Sequence, residues 1–274
     1  MKVAVTGASG LLGYPIAHML AAQGHTVETL GRTSVADLPH RPWSLGDTPD
    51  LTGSDALVHA AFSHIPGCYR GGEGDDPEGF RRTNLDGTRR LIDAAVKANT
   101  RIIFLSTRAV YGTHPPGTTL TEDTPARPDT LYGEIKRQTE QEIAGLGTSL
   151  RITGVYGPPV PNRPHKWSHL FARFAASAPI APRLSTEVHV ADVASAVEIA
   201  INQSVAPPIL NVSDIFLDQR NLLKSYAALA GISGRLPPAA TGQVAGVMAT
   251  DRLRALGWAP QGQSALTETL KLLV

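Results

Sequence analysis

Tyr132 and Lys136 stand four residues apart in the stretch Leu131–Tyr–Gly–Glu–Ile–Lys136. Residues at i and i+4 share one face of a helix, so this phenol and this ammonium would project into the same space. A cation beside a phenol favours the phenolate. Such a pair can give and take a proton near neutral pH, which is general acid–base chemistry. The alternative is an ordinary exposed aromatic–cation pair, and the spacing alone does not decide between them.

The elements that would position this pair begin at the N-terminus. Lys2–Val–Ala–Val–Thr–Gly7 reads as a buried strand. It runs into Gly7–Ala–Ser–Gly10–Leu–Leu–Gly13 and then a helical pattern through Ile16, Ala17, Leu20 and Ala21. A strand, a glycine turn and a helix in that order are the context of a dinucleotide fingerprint. Gly7 would permit the tight turn, Gly10 the approach of a pyrophosphate and Gly13 the close packing of helix on strand. Phosphates would rest on the N–H groups of the helix N-terminus. Gly7, Ser9, Gly10, Leu11, Leu12 and Gly13 are therefore the expected cofactor loop.

The second strand, His25–Leu30, ends at Gly31 and Arg32. A carboxylate is usual there in NAD enzymes, where it binds the ribose 2′-OH. An arginine instead pairs with a 2′-phosphate. NADP is the preferred expectation and NAD the alternative; otherwise Arg32 is a solvated loop charge.

The 274 residues allow one large domain or two unequal ones. The net charge of +1 and the scattered basic residues give no footprint for nucleic acid. The single cysteine, Cys68, excludes an intrachain disulfide framework and a cysteine metal cluster, and reads as an inert thiol. No leader pattern or membrane-length apolar run is visible, so a cytoplasmic protein with a small-molecule substrate, no metal and no membrane contact is expected.

Strand patterns fall at 2–6, 25–30, near 42–45, 55–61, 101–106 and 148–153. Helical patterns fall at 11–23, 77–98, 131–145, 165–177, 192–203, 218–230, 248–256 and 264–272. Alternating strands and helices predict an α/β fold with a doubly wound parallel sheet, the Rossmann fold, and a small C-terminal α/β substrate-binding lobe. The expected division is residues 1–155 with about 187–212 for the dinucleotide domain, and 156–186 with 213–274 for the lobe. Loops near 62–80 and 157–185 follow strand ends, where ligands bind in such sheets. His64 and Arg163, on those loops, are candidate substrate contacts.

Taken together, these segments resemble the extended short-chain dehydrogenase/reductases, the group of NAD-dependent epimerases, dehydratases and related reductases. Thr6–Gly13 is similar to the family's TGxxGxxG. Asp55–Ala–Leu–Val–His–Ala–Ala61 resembles its fourth strand, whose terminal Ala60 and Ala61 would line the adenine side. Thr83–Asn84–Leu–Asp–Gly–Thr88 resembles its N-x-x-G-T helix. Phe104–Leu–Ser–Thr107–Arg–Ala–Val–Tyr–Gly112 resembles the segment carrying the catalytic Ser or Thr. Arg151–Ile–Thr–Gly–Val–Tyr–Gly–Pro158, His189–Ala194 and Leu256–Pro260 complete the series. The resemblance implies Tyr132 as acid/base, Lys136 on the nicotinamide ribose, Thr107 on the substrate oxygen, Asn84 in support and Val155 against the cofactor. It also implies a homodimer through the helices carrying Asn84 and Tyr132.

Three departures bear on the substrate. Gly154 replaces the family's asparagine. Ala181–Pro–Arg–Leu–Ser–Thr–Glu187 lacks the G-D-G-x-x-x-R hairpin of nucleotide-sugar enzymes, although Arg183 could substitute. Arg108 and Ala109 stand where dehydratases carry an acidic pair, which argues against a dehydratase. Arg108 either reaches an anionic substrate or turns outward. The expected activity is hydride transfer at a secondary alcohol or ketone of a sugar-like substrate. A nucleotide-sugar epimerase with tightly held NAD is the first alternative, and a non-catalytic NADP-sensing protein the second.

Overall fold

The computed structural model describes residues 1–65, 72–205, 207–242 and 244–274. Cys68 and the surrounding 66–71 stretch of the glycine-rich loop lie outside them. The first half contains β1 (Lys2–Thr6), α1 (Gly13–Ala22), β2 (Thr26–Gly31), β3 (His40–Pro42), β4 (Ala56–His59) and α2 (Pro77–Arg81). A π-helical turn (Arg82–Asp86) leads into α3 (Gly87–Lys97) and β5 (Arg101–Thr107). A 3₁₀ turn (Arg108–Tyr111), β6 (Thr119–Leu120), α4 (Leu131–Ile143) and β7 (Gly147–Ile152) follow. The remainder comprises β8 (Gly154–Tyr156), α5 (Ser168–Ala175), β9 (Leu184–His189), α6 (Val190–Asn202), β10 (Ile209–Val212) and β11 (Ile215–Asp218). The chain closes with α7 (Gln219–Ala230), β12 (Val247–Met248), α8 (Asp251–Ala255) and α9 (Gln263–Lys271).

Seven strands form one parallel sheet in the order β3-β2-β1-β4-β5-β7-β10. This is the doubly wound order, with its switch point between β1 and β4. Successive residues of a strand face opposite sides, and the core divides accordingly. Val3, Val5, Ile103 and Leu105 pack with Ile16 and Leu20 of α1 and Val193 and Val197 of α6. Ala4, Ile102 and Phe104 pack on the other side with Leu91 and Ala95 of α3 and Ile143 of α4. Both faces are covered, which is why β1 and β4 read as continuous apolar runs.

A smaller sheet joins β8 and β9 in parallel and β9 and β11 antiparallel. Beside it Trp167, Phe171, Phe174, Leu222, Leu223 and Leu266 form a separate apolar cluster.

Two expectations are corrected here. The edge strand expected near 42–45 lies at His40–Pro42; Pro42 is accommodated at this sheet edge because the ladder bond to the Gly31 carbonyl comes from the following Trp43 N–H, at 3.0 Å. The helix expected over 77–98 is broken by the π turn at 82–86. The side-chain amide of Asn84, held in that turn, bonds to the loop after β4 as well as to its own helix.

Candidate active site

The cofactor loop is built by close approach. Gly7 has φ +68°, and a Cβ there would lie 2.6 Å from the amide nitrogen of Ala61 and 2.8 Å from the carbonyl carbon of Ala60. The turn after β1 therefore lies directly on the end of β4, at the switch point. A Cβ at Gly10 would meet only the Gly7 carbonyl oxygen, at 3.1 Å, so the space above Gly10 is open. Helix α1 starts with no side-chain cap and no acid in its first turn. An open glycine surface leading to an uncapped helix start suits a pyrophosphate, so the residues fit a dinucleotide. Leu11 is exposed in this loop, with Ser9 and Leu12 partly so, and Val155 is half-buried on β8. Arg32 is exposed immediately beyond β2.

Tyr132 and Lys136 lie on α4, whose start is capped by Thr130; its hydroxyl oxygen accepts from the Gly133 N–H at 3.1 Å. Gly133 lets the helix cross tightly over the 3₁₀ turn after β5, because a Cβ there would lie 2.6 Å from the Ala109 carbonyl oxygen. That crossing lays the first turn of α4, which carries Tyr132, on the turn that follows Thr107.

Lys136 is 4% exposed and donates to the Leu105 carbonyl at 2.7 Å. Its ammonium lies 4.6 Å from the Phe62 ring centre, 4.5 Å from Phe104 and 5.9 Å from Tyr132. Burial lowers its pKa to about 7, against the opposing pull of Glu140 one turn further along α4. Phe62 stands edge-on to Tyr132 with ring centres 5.1 Å apart. The Thr107 hydroxyl oxygen accepts from the Ala109 N–H at 3.2 Å, which leaves the hydroxyl proton for another acceptor.

Beneath this group Arg151 forms a two-pronged ion pair with Glu140, its shortest contact 2.7 Å. The Ser106 hydroxyl donates to the same carboxylate at 2.5 Å. Tyr132, Lys136 and Glu140 thus fall at i, i+4 and i+8 on one face of α4.

Asn84 is 1% exposed, and its amide is fully engaged. It accepts from Ser63 N–H at 2.7 Å and donates to the Ser63 and Phe80 carbonyls at 2.8 and 3.0 Å. It fastens the loop that carries Phe62.

A second buried chain of bonds runs alongside. The Ala61 N–H donates to the Thr6 hydroxyl at 3.3 Å, and the Thr88 hydroxyl donates to the Asn84 carbonyl at 2.6 Å. His59 bridges them, with Nδ1 2.8 Å from Thr6 Oγ1 and Nε2 3.1 Å from Thr88 Oγ1. Because the Thr88 proton is already committed, Nε2 must donate and Nδ1 accept, which assigns the neutral Nε2–H tautomer. Burial, then the charge of Lys136, lowers the His59 pKa to about 3.

The proposed substrate contacts are dispersed. His64 is exposed, its ring 6.1 Å from that of Phe62. Arg108 donates to the carbonyls of Ala245 and Gly246, tying the active-site turn to the loop before β12. Arg163 donates to the Ser9 carbonyl at 2.7 Å and so lies against the cofactor loop. Sequence reading missed Phe62, His59 as a bridge, and Glu140. Phe62 follows Ala61 directly, but nothing in its spacing marks an aromatic wall.

Residues 3–213 match the profile of the NAD dependent epimerase/dehydratase family, and the chain belongs to that family. The dTDP-6-deoxy-L-talose 4-dehydrogenase (NAD(P)(+)) of Kitasatospora kifunensis is 32% identical over 161 residues, covering 56% of this chain and 50% of that enzyme. The ceramide reductase of Caulobacter vibrioides is 28% identical over 254 residues, covering 86% of this chain and 71% of that protein. The UDP-glucose 4-epimerase of Thermus thermophilus, solved with NAD, superposes with TM-score 0.80 at 25% identity, covering 99% of this chain and 98% of the other. The chain spans about half the length of several curated relatives it matches. Among the described residues, no helix is long and apolar enough to cross a membrane.

Proposed function

We propose that the chain is an NAD(P)-dependent oxidoreductase acting on a secondary alcohol or ketone of a sugar-like substrate. What supports this is that the first turn of α4, which carries Tyr132, lies on the turn just after Thr107, while buried Lys136 bonds to Leu105 of the same strand. When bound, the nicotinamide supplies hydride transfer. The chain's residues supply the rest. The Gly7–Gly13 loop and the start of α1 hold the pyrophosphate, with Ala60, Ala61 and Val155 alongside. Lys136 holds the nicotinamide ribose and, while protonated, favours the phenolate form of its neighbour. Thr107 donates to the substrate oxygen and stabilises charge on it. Tyr132 gives or takes the proton at that oxygen. Asn84 keeps the Phe62 wall in place. Of the expected substrate contacts, His64 beside Phe62 and Arg163 beside the cofactor loop remain candidates, whereas Arg108 holds the turn after β5 to the loop before β12.

Arg32, with no carboxylate at the end of β2, supports NADP over NAD. The names of two relatives, a dehydrogenase and a reductase, support net oxidation or reduction. A second reading, epimerisation with retained NAD, is favoured by the likeness to the NAD-bound epimerase.

Fluorescence titration with NAD, NADH, NADP and NADPH, with mass spectrometry of whatever copurifies, separates the two. Freely exchanging NADPH is the expected result. NAD that survives dialysis selects the epimerase, and no binding of any of the four rejects both.

A further inference from the structure

Gly154 opens β8 opposite Glu187 of β9. A Cβ on Gly154 would lie 2.5 and 2.6 Å from the two Glu187 carboxylate oxygens. The carboxylate of the neighbouring strand therefore fills the place of a side chain at 154, the position at which the family resemblance implied an amide. Glu187 is 3% exposed and pairs with the Lys166 ammonium; the Ser185 hydroxyl also donates to it, at 3.3 Å. The Lys166 side chain keeps 28% of its surface open, and Gly154 itself is exposed. One buried acceptor and one partly open donor thus share a surface patch.

That patch lies just beyond the end of β7, the strand paired with β5. Ile152, two residues before Gly154, pairs with Thr107. Val155 follows Gly154 directly. The segment between Gly154 and Lys166 returns to the cofactor loop through the bond from Arg163 to Ser9.

The chemistry of the pair selects a ligand. An amide is neutral and both donates and accepts, whereas an ionised carboxylate only accepts. A phosphate arriving over Gly154 meets a fixed negative charge, and the adjacent ammonium is already compensated by that charge. A hydroxyl group suffers neither penalty: it donates to the carboxylate and accepts from the ammonium. Burial depresses the Lys166 pKa, Glu187 opposes that, and nearby Arg183 adds to it. Arg183 is exposed beyond the pair, so a phosphate bridging Arg183 and Lys166 is the competing occupant.

We propose that Lys166 and Glu187, beneath the bare backbone of Gly154, form a subsite for a neutral vicinal diol of the substrate, which carries no phosphate there. This rests on the oxidoreductase reading given above and narrows its substrate to free or non-nucleotide polyols.

The test is calorimetric titration of the cofactor-saturated protein with UDP-glucose and, separately, with D-galactose, D-arabinose and myo-inositol. The wild-type protein is expected to bind at least one polyol more tightly than UDP-glucose. Glu187→Gln, which uncovers the Lys166 charge, should weaken that polyol about tenfold and strengthen UDP-glucose, a reversal that loss of structure cannot produce. Lys166→Arg should retain polyol binding. UDP-glucose binding above every polyol in the wild type, absence of polyol binding, or polyol binding indifferent to Glu187→Gln overturns the subsite. The wild-type comparison stands even if a variant fails to fold. Failure of the preceding cofactor saturation rejects the oxidoreductase reading instead, so the two outcomes are distinct.

Discussion

Among the described residues no carboxylate pairs directly with Lys136; one carbonyl and the Phe62 and Phe104 rings lie against its ammonium, with Glu140 a turn away. His59, just behind it, must stay neutral to keep its two threonine partners. Its folded pKa of about 3 lies below the reference 6.5, so the unfolded chain binds the extra proton across that window. Stability should therefore rise with pH from about 3 to 6.5 and be lost as pH falls, at about 1.4 kcal/mol per pH unit for this group. In urea titrations across that range, His59→Gln should remove this slope relative to wild type; an unchanged slope contradicts the neutral bridge. At the cofactor end, Arg32→Glu is expected to weaken NADP binding about tenfold or more while sparing NAD, read by fluorescence titration. Equal loss of both cofactors would show that Arg32 does not read the 2′-phosphate. Tyr132 and Lys136 were legible in the sequence because both lie on one helix, where spacing fixes direction. Phe62 and His59 were not, because their roles depend on side chains brought in from β1, α3 and α4.

Two close crossings shape the site at the scale of elements: the turn after β1 on the end of β4, and α4 on the 3₁₀ turn after β5. The glycines there are not equivalent. Gly7→Ala would combine a left-handed φ with a backbone clash and should lower stability. Gly10→Val meets one tight contact, the Gly7 carbonyl oxygen 3.1 Å from its Cβ, and otherwise open space, so the fold should survive with a modestly lowered melting temperature. Its side chain would occupy the approach to the helix start, and cofactor affinity should fall at least a hundredfold by fluorescence titration. Retained affinity in Gly10→Val would remove the pyrophosphate from this loop. The strand–turn–helix order was legible because each piece is local. Strands β8, β10 and β11 were not, having only three or four residues each, and neither was six-residue β9, whose pairing joins separate parts of the chain. The π turn at 82–86 was hidden for the same reason, since it goes with long-range bonds from Asn84 to Ser63.

Over the whole molecule, the sheet order places the switch point between β1 and β4 and puts β5 beside it, so the glycine turn after β1 and the end of β5 lie on the same edge of the sheet. Alternating apolar runs and helices were enough to read this architecture, because a parallel sheet covered on both faces leaves that pattern in the chain. Substrate choice was not readable, since under the subsite proposed above it rests on the pairing of Glu187 with Lys166, which joins distant parts of the chain. The proposed activity requires that a dinucleotide docks at this edge and that Tyr132 moves the proton. The direct measurement follows reduced-nicotinamide absorbance in wild type and Tyr132→Phe with the same substrate, after both proteins have been shown to bind cofactor. Binding should be equal, and turnover should fall by about 10²–10⁴-fold in Tyr132→Phe. Wild-type turnover in Tyr132→Phe, with binding intact, would contradict the account.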